Sequence, residues 1–369
     1  MPRTKVLILI KGMGIGGAEK LISEAIPFWD RDRFDYEVAY LLPWKDQLVP
    51  ELTEAGVRVT QLGNGRMGLS TLRAVRRHLV ESAPDLVHAH LPITGILARI
   101  LSPAPVIYTE HNVASSYRSP TRQLNRLTYR RNARTIAVSD AVAEAVSGFA
   151  QPITIPNGVS VSVSDTERLR VRAEMGIDPT TVLIAHVGNI RPHKGHQNLI
   201  EATAFLKEKI DSFLVVSIGG EKNPGDLDRI RSEAERRGLN ECFRALGRRE
   251  DALAFLAAAD LVANPSDHEG LPLAVLEAMS LGTPVVATSV GGVPSIIDSG
   301  SNGVMVPPGD PTALALALAE LARDPEMRQR LGGRAQEDAL ARHGLEAMVR
   351  AVEAVYLDLI TNQSGPEKG

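Results

Sequence analysis

Glu269 and Glu277 stand eight positions apart, with Gly270 and Pro272 between them where a helix should begin. They open a crowded stretch, residues 264–311, that reads NPSDHEGLPLAVLEAMSLGTPVVATSVGGVPSIIDSGSNGVMVPPGDP. Glu269 falls in the loop before the helix and Glu277 one or two turns inside it. The pair is therefore not a simple array on one helical face. Carboxylates accept hydrogen bonds from hydroxyls. Backbone N–H groups near Gly270 and Leu271, at the positive end of a helix, suit phosphate. A strand signal, PVVAT, and the glycine pair Gly291-Gly292 follow. The combination suits a ligand carrying both hydroxyls and phosphates, as a nucleotide sugar does. The bland alternative makes Glu277 a surface residue of an amphipathic helix.

A cationic glycine loop precedes this stretch. HVGNIRPHKG, residues 186–195, follows a strand and leads into a helix starting near His196. Gly188 permits a sharp exit, with Asn189 next to it. Arg191 and Lys194 place two positive charges beside free helix N–H groups. A diphosphate leaving group needs that setting, because charge grows on its oxygens as the sugar bond breaks. A solvated basic loop is the other reading.

An earlier loop spells GxGxxG through Gly12, Gly14 and Gly17, but a dinucleotide domain wants an acid at the end of its second strand. That strand ends here in Leu42-Pro43-Trp44-Lys45. The remaining readings are a backbone nest around Gly14, Gly16 and Gly17 that admits phosphate or substrate, and a purely structural turn. Histidines end two further strands, in HAHLP (88–92) and TEHN (109–112). His111 can donate to a sugar or phosphate, hold an acid, or simply pack a loop. No compact third ligand makes a zinc site, and Cys242 is isolated. Neither a GxSxG elbow nor a GxxxxGK[ST] loop is present.

Alternating strand and helix signals must position these residues. Strand candidates at 6–10, 36–42, 85–89, 105–109, 135–139 and 153–156 alternate with helical patterns, and the rhythm restarts at 181–187, 213–218, 242–246, 260–264, 284–288 and 303–306. Such order predicts two α/β, doubly wound, parallel-sheet domains. The polar segment 162–181 interrupts the rhythm. The expected division is 1–165, 166–343, and a last helix with a polar tail, 344–369. In such sheets ligands sit beyond the carboxyl ends of the strands.

Charge and composition narrow the partners. The 369 residues carry 41 basic and 44 acidic side chains, a net charge of −3, so no bulk positive field calls for nucleic acid. A single cysteine, the lack of a targeting segment and the lack of an 18-residue apolar run fit a cytoplasmic protein that does not span a membrane. Arginines recur at 118, 122, 126, 130 and 134, with Arg131 extra and no acid among them. If residues 119–134 are helical, Arg118, Arg122, Arg126 and Arg130 form a stripe facing an anionic membrane or a lipid-diphosphate acceptor. Otherwise they are a solvated face.

With these residues in hand, the chain resembles the retaining glycosyltransferases of family four, which have the GT-B fold. The likeness is carried by GIGGAEK (14–20), TEH (109–111), SDAV (139–142), IPNGV (155–159), GNIRPHKG (188–195), EGLPLAVLEAMSLGTPVVAT (269–288), GGVPSII (291–297) and NGVMVPPGD (302–310). It implies a nucleotide-diphosphate sugar, UDP- or GDP-linked, bound in the cleft between two domains and a hexosyl transfer with retained anomeric configuration. By that similarity Glu269 meets the donor sugar, Glu277 the ribose and Lys194 the diphosphate. Gly16 and Gly17 lie near the diphosphate and acceptor, and His111 supports the transferring sugar. Asn157 and Gly158 turn the chain at a hinge, and the last helix braces the first domain. Many relatives carry arginine where this chain has Asn189, and Arg191 is placed to supply that charge. The family implies no tightly bound metal or cofactor, and no aspartate-x-aspartate motif occurs. The expected acceptor is a glycan or lipid-linked hydroxyl in cell-surface polysaccharide or glycolipid synthesis. An epimerase of the same architecture and a non-catalytic nucleotide-sugar binder are the rivals.

Overall fold

The computed structural model describes residues 3–65, 68–112, 117 and 119–363. The chain divides into two compact units, one of residues 1–158 with 345–369 and one of residues 159–344. The boundary at 158–159 precedes the polar segment 162–181, whose first half folds as a helix of the second unit.

In the first unit, strands β1 (Thr4–Ile10), β2 (Phe34–Tyr40), β3 (Arg58–Gln61), β4 (Leu86–His90), β5 (Val106–Glu110), β6 (Arg134–Ala137) and β7 (Pro152–Thr154) form one sheet in the order β3-β2-β1-β4-β5-β6-β7. Every pairing is parallel. The connections include α1 (Gly17–Ala25), α2 (Val49–Glu54), α3 (Leu69–Ser82), α4 (Pro92–Leu101), α5 (Ser119–Thr128) and α6 (Asp140–Ser147). Alternation along β1 sorts its side chains between two cores. Val6, Ile8 and Ile10 enter one, Leu7 and Leu9 the other. A sheet buried on both faces has this pattern.

The second unit starts with α7 (Asp165–Glu174) and β8 (Val182–Val187), then α8 (His196–Lys207), β9 (Phe213–Ile218), α9 (Asp226–Arg236) and β10 (Phe243–Gly247). It continues through α10 (Ala252–Ala258), β11 (Leu261–Asn264), α11 (Leu273–Ser280), β12 (Val285–Thr288), α12 (Val293–Ile296), β13 (Val304–Val306), α13 (Pro311–Arg323) and α14 (Pro325–Arg342). Its parallel sheet runs β10-β9-β8-β11-β12-β13. Ser164 and Glu167 close a capping box on α7, which fixes where that helix begins.

The last helix, α15 (Leu345–Gln363), belongs to the first unit. Val355, Tyr356 and Leu359 enter the core beside β1 and β2. Glu353 accepts from Tyr36 Oη at 2.7 Å and from the Asp30 N–H at 2.8 Å, and Arg134 pairs with Asp358 at 2.8 Å.

The arginine stripe is shorter than a helix over 119–134 would make it. α5 stops at Thr128, residues 129–131 form a 3₁₀ turn, and Arg134 lies in β6. The buried Arg99 guanidinium explains the stop. It donates to the Asn125 carbonyl, one of those the helix end leaves open, and to the Thr128 hydroxyl. Only Arg122 and Arg126 share α5. Arg130 follows on the turn, and Arg118 lies outside the described residues.

Candidate active site

Both sheets reverse their strand order once, between β1 and β4 and between β8 and β11. Chain leaving neighbouring strands at such a point diverges and opens a crevice beyond their carboxyl ends.

In the second unit the 188–195 loop leaves β8 and the 265–272 loop leaves β11. Gly195, at φ +67°, ends the first loop, and a side chain there would run into the Pro265 carbonyl. The Asp267 N–H donates to the His193 carbonyl at 2.8 Å, tying the loops together. Gly291 sits at φ +54° against the Glu269 carbonyl, where a side chain would collide, and the Gly292 N–H donates to Gly270 O at 2.8 Å. The glycine pair thus clamps the loop that carries Glu269.

The clamped loops join Lys194 to Glu269. The ammonium donates to Glu269 Oε1 at 2.7 Å, with the lysine side chain 24% exposed and the carboxylate 7%. Ser266, fully buried, donates to the same oxygen at 2.7 Å. Ser266 Oγ also lies 3.1 Å from Asn264 Oδ1, while Asn264 Nδ2 is buried without a partner. A hydroxyl has one proton to give. Turning the Asn264 amide over resolves both difficulties, since its N–H then donates to Ser266 and Ser266 donates to Glu269. Glu269 Oε1 is so held from two sides.

Glu277 is buried in α11 at 4% exposure, and Leu271 is buried just ahead of that helix. Asn189 Oδ1 accepts from the Gly220 N–H at 3.0 Å, binding its loop to the chain after β9. Arg191 has no ion-pair partner among the described residues. The Gly188 N–H donates to the Ile218 carbonyl at 2.8 Å.

In the first unit, Gly16 forms the extended N-cap of α1, and Gly17 is its first residue. His88 and His90 end β4 on one face, and His111 directly follows β5. His90 Nδ1 lies 2.9 Å from His111 Nε2. His88 bonds Tyr356 Oη at 2.5 Å and Thr109 Oγ1 at 2.7 Å. Burial holds all three imidazoles neutral near pH 7, with His88 pushed down to about 3, His111 to about 4 and His90 well below its ordinary value. Glu110, fully buried, accepts from Tyr117 and Tyr129, and burial pushes its carboxyl up to about 7.

The sequence reading missed Ser266, Asn264, His90's bond to His111, and Glu110. A serine three residues before Glu269 was visible in the sequence. Its contact depends on the loop's turn, which spacing alone does not give. No group of three His, Cys, Asp or Glu among the described residues is arranged to hold a metal ion.

A family model described as Glycosyltransferase Family 4 matches residues 15–163, and one described as Glycosyl transferases group 1 matches residues 167–338. D-inositol 3-phosphate glycosyltransferase of Corynebacterium jeikeium (strain K411) is 32% identical over 304 residues, covering 74% of this chain and 72% of the relative. The chain belongs to glycosyltransferase family 4. This glycosyltransferase is also 29% identical over 192 residues to N-acetyl-alpha-D-glucosaminyl L-malate synthase of Bacillus anthracis, covering 52% of this chain and 49% of that one.

The glycosyltransferase superposes on Anabaena Alr3699/HepE, solved in complex with UDP and glucose, with a TM-score of 0.87 at 21% identity, over 96% of this chain and 100% of that one. Sucrose-phosphate synthase from Thermosynechococcus elongatus gives 0.84 at 20%, over 97% and 100%. At these identities the likeness speaks for the fold, which is GT-B. No helix among the described residues is long and apolar enough to cross a membrane.

Proposed function

We propose that this glycosyltransferase moves a sugar, with retained configuration, from a nucleotide-diphosphate sugar to an acceptor hydroxyl. The observation that carries the reading is the Lys194–Glu269 pair, fixed where β8 and β11 diverge. An ammonium has three N–H donors, and Glu269 uses one. Two remain for a diphosphate, joined by Arg191, and they stabilise the charge that develops on departure. Glu269 Oε2 accepts from sugar hydroxyls, Glu277 serves the ribose, and the Gly188, Gly270 and Leu271 backbone lies along the donor. His111 hydrogen-bonds the transferring sugar, and Gly16-Gly17 admits the acceptor closely. The acceptor hydroxyl approaches from the leaving-group face, and a donor phosphate oxygen takes its proton. Uridine is favoured as the base because the structural relatives include complexes with UDP and UDP-glucose.

The acceptor is a glycan or lipid-linked hydroxyl, reached from the cytoplasmic face of a membrane. α5 supports that part of the reading. Arg122, Arg126, Arg130 and Arg131 are exposed without an acidic partner among the described residues, and Leu124 and Leu127 are 45% and 80% exposed beside them. Basic and apolar side chains together on a surface helix and the turn that follows it suit an anionic bilayer.

The experiment is a transfer assay with UDP- and GDP-linked sugars against lipid-linked and small soluble acceptors, with and without chelator. The reading expects a glycosylated product that survives chelation. Sugar epimerised or released as free sugar, with no acceptor glycosylated, would overturn it. Binding to anionic vesicles should weaken when Arg122 and Arg126 become Glu, and equal binding would remove the membrane from the account.

A further inference from the structure

His90 is buried at 6% exposure, whereas His111 next to it is partly open. The parallel register of β4 and β5 pairs His90 with Thr109, which brings the chain after β5 alongside the histidine. The result is the 2.9 Å contact from His90 Nδ1 to His111 Nε2, with ring centroids 5.2 Å apart. His90 cannot easily turn away. Its ring also lies against His88, with centroids 4.2 Å apart and planes tilted by 37°, and both nitrogens of His88 are engaged by Tyr356 of α15 and Thr109 of β5. Its carbonyl accepts from Thr94.

We propose that His90 is a positioning residue that holds His111 Nε2, so that Nδ1 is the nitrogen offered to the sugar and its protonation is coupled to that of His90. Two neutral imidazoles joined by one N···N bond need one N–H and one lone pair in that bond. The location of the proton on His90 therefore dictates its location on His111. A histidine without such a partner exchanges between tautomers, presenting a donor part of the time and an acceptor the rest. Turning the His111 ring over would put a carbon at the Nε2 position and lose the bond. His90 thus fixes the orientation of the His111 ring and ties the hydrogen-bonding sense of the atom left for the ligand to the proton on His90. The inference rests on the reading that His111 serves the transferring sugar.

The test uses the full chain with its working donor and acceptor. Asparagine carries a polar atom close to where histidine has Nδ1, so His90→Asn should stay within about threefold of wild type. His90→Phe fills the space without that atom, and its kcat should fall toward the level of His111→Ala, by about tenfold. The nucleoside diphosphate should bind both variants as it binds wild type. Heteronuclear NMR of histidine-labelled protein should show complementary tautomers in wild type, with one of His90 Nδ1 and His111 Nε2 protonated and the other not, and a shifted His111 tautomer ratio in His90→Phe. A merely space-filling role would leave the tautomer unchanged and would not be rescued by asparagine. If His90→Phe fails to fold, the wild-type spectrum decides, and His90 and His111 tautomers that are not complementary overturn the proposal. If His111→Ala transfers as well as wild type, the underlying reading of His111 fails instead. If His111→Ala is impaired while His90→Phe is not, only the inference falls.

Discussion

At the carboxyl ends of β4 and β5 three histidines and two hydroxyls hold one another, whereas beyond β8 and β11 an ammonium holds a carboxylate. The first cluster is neutral near pH 7 because burial holds the imidazoles below their ordinary range. What it offers a ligand is directional and short-ranged. The second is charged, and its lysine side chain stays a quarter exposed. It offers attraction that reaches further and matches a diphosphate. Two sheets that reverse their strand order in the same way have thus been given different chemistry at that reversal, through the residues on the loops that leave the strands. The fold supplies the crevice, and the loops decide what it recognises.

If charge does the work in the second unit, the largest loss should follow its removal. On the proposed reading Lys194→Ala takes away stabilisation that grows as the diphosphate leaves, and it also leaves the buried Glu269 without its cation. Transfer should fall about 30–1,000-fold in kcat/KM, at roughly 2–4 kcal/mol. Steady-state turnover within threefold of wild type would contradict the assignment. Ser266→Ala sharpens the same side. It removes one of the two donors to Glu269 Oε1 while keeping the ion pair, and kcat should drop about 3–10-fold. An unchanged kcat would mean that Lys194 alone places the carboxylate.

The neutral side gives a pH signature. An unfolded glutamate ionises near about 4.3, but folded Glu110 holds its proton up to about 7. Its contribution to stability is present below the unfolded value and is lost as pH rises through the folded one. The histidines act in the opposite direction. Their folded values lie below the ordinary one, so stability is lost as pH falls from about 6.5 toward the folded values. Glu110→Gln removes only the first effect. Its melting temperature should gain on that of wild type as pH is raised from about 5 to about 8, with the two compared by calorimetry at each pH. A constant difference across that range would show that Glu110 titrates normally.

Much of this was legible beforehand. The apolar runs that became β1, β4, β5, β8, β9, β11 and β12 were visible because strands buried on both faces are continuously hydrophobic. The strand β3 was not. RVTQ lies at the sheet edge with exposed Arg58 and Gln61, and it reads as loop. The start of α7 carried a signal that polarity obscured, the Ser164-x-x-Glu167 box. Lys194 and Glu269 were identifiable as chemical types on separate loops. Their bond was not, because strand order alone makes β8 and β11 neighbours across 75 residues of sequence. The His90–His111 contact was hidden for the same reason, since it depends on the register between two strands.

The proposed contrast between a charged cluster that takes the diphosphate and a neutral cluster that takes the sugar is tested most directly by calorimetric titration of UDP, without its sugar, into wild type, Lys194→Ala and His111→Ala. The account predicts that Lys194→Ala loses UDP affinity by tenfold or more, about 1.4 kcal/mol, while His111→Ala binds UDP as wild type does and is impaired only in transfer. Equal losses of UDP affinity in the two variants, or none in Lys194→Ala, would contradict it.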